Sequence, residues 1–192
     1  PDAAAISGSV LRPAGSVPDD IAISTIDFAT TTAHRGRGIP HKVGLGGTMT
    51  LTRRALELLG PAPYDTRLGA GTSIPGADDM DFIYRLLRAG GLIVSTPVAR
   101  VEHHQWRGSG LMAGHFHGYS RASGAYAGAH LLGGDPYALV LIGDLLYSDL
   151  RFLASGLRRR SRLRLVVGAA RLGGTIRGFG LSRQLSREPM PG

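Results

Sequence analysis

The chain has 192 residues, 43% of them hydrophobic and 19% charged, which is enough for a packed core and close to ordinary globular usage. Cysteine is absent, which excludes disulfide staples and thiolate-held zinc or iron–sulfur sites, so any metal must be held by imidazole and carboxylate groups. The formal net charge of +8 favours anionic partners without selecting one.

The first element is Ala3 to Leu11, a short apolar run that reads as a buried strand turned by Arg12-Pro13. No charged start followed by an apolar run precedes it, so no signal peptide is visible. From Ala14 to Lys42 the chain is rich in Gly, Pro, Thr and basic residues and reads as a long surface excursion, with one strand-like patch near Ile21 to Phe28. At Gly44 to Leu51 glycines precede a β-prone run. Thr52 is placed to cap a helix over Arg53 to Leu59, which Gly60-Pro61 stops.

A second glycine-rich loop, Tyr64 to Gly76, leads directly into Asp78, Asp79 and Asp81. The spacing then predicts a helix over Asp79 to Ala89, with Phe82, Ile83, Leu86 and Leu87 on one stripe and Asp81 and Arg85 set for an i,i+4 ion pair. Gly90-Gly91 ends it. Leu92 to Ser95 and Val98 to Val101 read as two short strands broken by Pro97. Beyond His104 the pattern becomes helical, over roughly residues 110 to 132, 136 to 157 and 161 to 178. The expected organisation is an α/β unit over residues 1–107 and a basic helical tail over 108–192. Asp144 and Asp149 interrupt the apolar run from Tyr137 to Leu153, which also falls short of the about 20 apolar residues a bilayer span needs.

Chemistry concentrates at Asp78-Asp79. A carboxylate at a glycine-flanked helix start faces a cleft rather than the core, and a transfer to a hydroxyl nucleophile needs one fixed carboxylate to accept its proton. Helix capping accounts for the same acids without any chemistry. What separates the two readings is the surrounding order: a Gly-rich strand, an Arg-Arg helix, YDTRLGAGTSIPGADDMDFIYRLLRAGG, then a strand pair ending in PVARVEHH.

That order resembles the second half of bacterial family-2 glycosyltransferases, where the stretch runs approximately as G-x-x-M-x-x-R-R-x-x-L, F-D-E-x-L-G-x-G, E-D-x-D-L-x-x-R-x-x-x-x-G and P-x-A-x-V-x-H. The match covers about Gly44 to His104. It implies a partial GT-A fold, the acceptor-side half of an inverting nucleotide-sugar transferase whose nucleotide-binding half is not in this chain. Asp79 falls on the catalytic base and Asp78 on the acid before it, with Asp where the family usually has Glu. Tyr64-Asp65-Thr66 stands where Phe-Asp-Glu is common.

The resemblance also implies that Gly46, Gly47 and Thr48 lie near the donor sugar and that Asp65 and Arg67 lie by the acceptor. His103 falls on the strand-end histidine that in some relatives helps hold the donor's divalent metal. Mg²⁺ or Mn²⁺ is therefore expected in the full-length enzyme, with its main ligands in an upstream DXD motif; Asp19-Asp20, in a loop, does not fit that motif. Trp106 is the only tryptophan and has a face on which a sugar could stack, or an area to bury as a packing anchor. His115, His117, Tyr119 and Arg121 form a polar-aromatic stripe whose spacing is not a metal motif. Gln105-Trp106-Arg107 does not reproduce the Q-x-x-R-W spacing of processive synthases.

The arginines at 158, 159, 160, 162 and 164 lie beside an amphipathic segment and suit an anionic membrane surface, or simply a solvated face. The expected partners are thus a nucleotide-sugar donor, a glycan or lipid-linked acceptor and an anionic membrane. The expected location is cytoplasmic, peripheral at the inner face of the plasma membrane. Two alternatives remain: a non-enzymatic basic module binding nucleic acid or acidic polymer, and a degenerate transferase that binds glycan without turnover. No specific nucleic acid is expected, because no aromatic platform is interleaved with the basic residues.

Overall fold

The computed structural model describes residues 2–14, 21, 24–104 and 109–187. Asp19, Asp20 and Trp106 lie outside the described residues. The fold is mixed α/β, with a four-stranded mixed sheet and six helices among the described residues. Two compact units divide it: residues 1–65 with 79–106, and residues 66–78 with 107–192.

The sheet unit is built on β1 (Ala3–Leu11), whose small residues let neighbours approach on both sides. It pairs in parallel with β4 (Leu92–Glu102) and antiparallel with β3 (Met49–Leu51); β2 (Thr32–Arg35) closes the other edge of β4, giving the order β2-β4-β1-β3. β2 and the short helix α1 (Pro40–Val43) fall inside the stretch read as a surface excursion. Four residues without apolar alternation carry little signal of their own, and β4 supplies the pairing that makes them a strand. Among the described residues of the patch near Ile21 to Phe28, a single bridge forms, from Ile26 to Val10.

Pro97 does not divide β4 in two. Its register against β1 jumps from Gly8↔Thr96 to Ser9↔Arg100, so Pro97, Val98 and Ala99 bulge outward and pairing resumes beyond them. The bulge leaves Val98 86% exposed and brings the exposed Ala99 over Gly8: a Cβ on Gly8 would lie 2.5 Å from the Ala99 carbonyl oxygen. Gly8 is thus required by the bulge opposite it.

α2 (Arg53–Leu59) forms as predicted and ends at Gly60, whose φ is 83°. Thr52 occupies its N-cap without capping it. The hydroxyl instead reaches across to β1, 2.8 Å from the Ala3 carbonyl oxygen, and so ties the helix to the sheet.

In α3 (Asp78–Arg88) the predicted stripe is enclosed, with Phe82, Ile83 and Leu86 at 0% exposure and Leu87 at 1%. Burial of each such side chain stabilises by about 2 kcal/mol, several times what an exposed ion pair contributes. Asp81 and Arg85 pair at 2.6 Å, nearly buried, and Arg85 also donates to the Pro63 carbonyl at 2.6 Å. The pair therefore anchors the approach to Tyr64, whose ring stacks on Phe82 with centroids 4.8 Å apart.

The second unit holds α4 (Ser109–Leu132), α5 (Ala138–Arg158) and α6 (Arg162–Arg187), together with the loop 66–78. α6 runs nine residues past the predicted end at Gly178, because its glycines are contact points and not breaks. A Cβ on Gly174 or Gly178 would strike the carbonyl oxygens of His117 and Arg121, and one on Gly124 that of Thr175, so α4 and α6 pack backbone to backbone. Asp149 joins α5 to α6. Only 2% exposed, it takes Arg171 Nε at 2.8 Å and the Thr175 hydroxyl at 2.6 Å, and the Arg171 guanidinium lies over the Phe152 ring. The acid that interrupts the apolar run of α5 is thus an internal, satisfied ion pair.

Candidate active site

Asp79 is a residue of α3 rather than its cap, and its carboxylate reaches away from the helix. Oδ2 accepts the Gly46 backbone N–H at 2.9 Å, and Oδ1 accepts the adjacent Met80 N–H, also at 2.9 Å. Bonds on both oxygens fix the carboxylate's orientation, while the residue stays half-exposed beside the exposed Gly46 and Gly47. Two segments 33 residues apart in the chain are thereby brought together.

The Gly44–Thr48 segment is pinned to the sheet by hydroxyls that the sequence reading did not single out. Ser7, fully buried in β1, accepts the Leu45 N–H at 3.4 Å. Ser95, fully buried in β4, donates to the Val43 carbonyl at 2.5 Å. With its proton so committed, the Ser95 oxygen is left to accept Nε2–H of His34 at 2.9 Å. Burial lowers the His34 pKa below its ordinary value, consistent with a neutral ring in that role. A serine inside an Ala/Ser/Gly strand looks like a small spacer in the sequence; only the loop across from it shows what its hydroxyl holds.

Thr48 turns its hydroxyl inward, donating to the Gly8 carbonyl at 2.9 Å, so it positions the segment. The two glycines differ. A Cβ on Gly46 would sit 3.0 Å from Asp79 Cβ and 3.2 Å from Oδ2, whereas one on Gly47 would meet nothing within 4 Å. Gly46→Ala is therefore expected to push the carboxylate off its N–H donor and lower the melting temperature measurably, while Gly47→Ala leaves it unchanged; thermal unfolding of the two variants, read by circular dichroism, checks this.

Asp78 takes different surroundings from its neighbour. Its carboxyl lies against Gly69, where a Cβ would be 3.2 Å from Cγ. The turn before it is strained: Gly76 has φ 146° and Ala77 φ 66°, a left-handed conformation costing an alanine about 1 kcal/mol. Within that loop Ile74 N–H bonds the Thr72 hydroxyl at 3.1 Å and Gly69 N–H the Ile74 carbonyl at 3.1 Å, and Arg121 of α4 donates to the Ser73 carbonyl at 2.8 Å. Asp65 is 6% exposed in the sheet unit. Arg67, in the helical unit, donates to the Leu185 carbonyl at 2.8 Å, a structural tie to α6.

His103 follows the last residue of β4, its N–H bonded to the Leu11 carbonyl at 2.9 Å, and its enclosed Nδ1 has no hydrogen-bond partner among the described residues. Among those residues no three His, Asp or Glu gather as a metal site would require. One imidazole by itself does not make a site for Mg²⁺ or Mn²⁺, which take mainly oxygen ligands. His117, in the polar-aromatic stripe of α4, lies 3.3 Å from Arg177 of α6.

A cleft of ≈ 520 Å³ opens where β1 and β4 begin, the opposite end of β1 from His103, and is lined by Arg35, Arg53, Arg54, Asp2 and Leu92 among others. No family model matches the chain, and no curated protein or solved structure matches it either.

Proposed function

We propose that this chain is the acceptor side of an inverting GT-A glycosyltransferase, which moves a sugar from a nucleotide-sugar donor to an acceptor hydroxyl, in polysaccharide or cell-envelope synthesis. The observation that carries the reading is the Gly46–Asp79 hydrogen bond, which unites the two segments on which the family resemblance rests. Asp79 takes the proton of the attacking hydroxyl as that oxygen bonds to the anomeric carbon. The bond from that carbon to the diphosphate breaks, and the nucleoside diphosphate leaves with its electron pair. Asp78 positions acceptor or base, and Gly47, open above the loop, leaves room for the donor sugar.

On this reading a nucleotide-binding half is needed for turnover, and the expected divalent metal draws its main ligands from there. The test is transfer by the full reading frame that encodes this chain, across a panel of nucleotide sugars, with and without Mn²⁺. Metal-dependent release of nucleoside diphosphate with a glycosylated acceptor supports the reading. Glycan binding without release on any donor moves the conclusion to a degenerate transferase.

A further inference from the structure

α5 has two apolar faces. One packs inward through Ala138, Leu141 and Gly156; the other faces solvent. Val140, Gly143, Tyr147, Leu150, Ala154 and Leu157 recur at alternating spacings of three and four and are all exposed, Tyr147 by 63%, Leu150 by 54% and Leu157 by 66%. At 3.6 residues per turn they fall within a stripe about 100° wide. A contiguous apolar stripe of this kind marks an interaction surface.

Charge selects the partner. By the same helical periodicity Arg151 and Arg158 flank one edge of the stripe, and Arg159, Arg160 and Arg162 follow at the turn into α6, all exposed. Two carboxylates lie on α5: Asp149 is enclosed on Arg171, and Asp144 is half-buried. The occupant must therefore be apolar beneath and anionic above over some 20 Å or more, the rise of the helix from Val140 to Leu157. A second copy meeting this face with its own α5 would add five further cations, and that helix carries no exposed carboxylate to meet them. Among the described residues no helix is long and apolar enough to cross a membrane, so a lipid contact would run along the surface.

We propose that the outer face of α5 docks on an anionic lipid bilayer, with the helix parallel to the membrane plane, Tyr147, Leu150 and Leu157 in the headgroup boundary and the arginines reaching lipid phosphates. Such helices sink about 5–10 Å, and long basic side chains extend from that depth to the charged layer. The inference stands on the helical unit alone and does not depend on sugar transfer.

The experiment is flotation of the full chain with phosphatidylcholine vesicles, with and without phosphatidylglycerol. Binding is expected only with the anionic lipid, weakening with salt. Arg158→Gln and Arg160→Gln should each lower partitioning about fivefold, the equivalent of ~1 kcal/mol per basic residue near the surface. Leu150→Gln with Leu157→Gln should remove it while the circular dichroism spectrum is unchanged, both side chains being exposed. The chain has no cysteine, so a polarity-sensitive dye on Leu150→Cys should shift to the blue on anionic vesicles. No binding to anionic vesicles, or binding indifferent to the double leucine variant, overturns the proposal. So does a lipid-free dimer that the same variant converts to monomer, since a second copy would then own the face.

Discussion

Asp79→Asn is expected to lower sugar transfer by the full-length protein about 10²–10⁴-fold, the range a general base contributes, with donor binding nearly unchanged and the melting temperature lowered by only a few degrees. The choice of asparagine is what makes the result informative. Asp79 lies inside α3 and is not its cap, so the change removes no N-cap. An amide also keeps one acceptor for Gly46 N–H or Met80 N–H, and losing the other bond costs only about 1 kcal/mol. What Asn cannot do is take a proton from the attacking hydroxyl. Single-turnover kinetics on purified variant and wild type, alongside calorimetric donor binding, make the comparison. Turnover retained at wild-type rate would remove Asp79 as the base and leave the Gly46 bond as a purely architectural one.

The second large effect belongs to the helical unit. Gly178→Val should destabilise that unit by about 3 kcal/mol or more, since a side chain there meets backbone that cannot rotate away. A Cβ at 178 would fall on the Arg121 carbonyl oxygen, with Ala125 N at 2.8 Å and Gly124 Cα at 2.9 Å. For a unit of this size each kcal/mol moves the melting temperature by about 4–8 °C, so a fall of more than 10 °C is expected by differential scanning calorimetry. Gly180 is the internal control. A Cβ there meets nothing within 4 Å, so Gly180→Ala should raise stability by up to about 1 kcal/mol, the helix-propensity difference. Equal responses at the two positions would mean that α4 and α6 are not held backbone to backbone in solution.

These two positions show what kind of information the sequence carried. The stripe of α3 and the Asp81–Arg85 pair were legible because their spacing is local, and the helix that satisfies it needs no knowledge of its neighbours. α4 and α5 were legible as helices because their long stretches show no period-two alternation. Gly178 was misread as a helix end because a glycine that breaks a helix and one that admits a neighbouring backbone are the same letter; only the position of α4 distinguishes them. Pro97 was misread as a strand end because a bulge depends on the partner strand's register, which no single segment specifies. Thr52 looked like a cap residue, yet its hydroxyl found a β1 carbonyl that sequence distance hides, as the Thr48 hydroxyl also did.

The sequence by itself determined where the acids stand, which faces of the helices are apolar and where the cations gather, because composition and short-range period fix these. Tertiary structure alone decided that Asp79 meets Gly46 as well as the first turn of its own helix, that Ser7 and Ser95 hold the loop which presents Gly46, and that one apolar face of α5 is left uncovered. The reason is physical: a hydrogen bond or an exposed face depends on what folding brings within about 3 Å or fails to bring at all, and that distance is a property of the assembled chain.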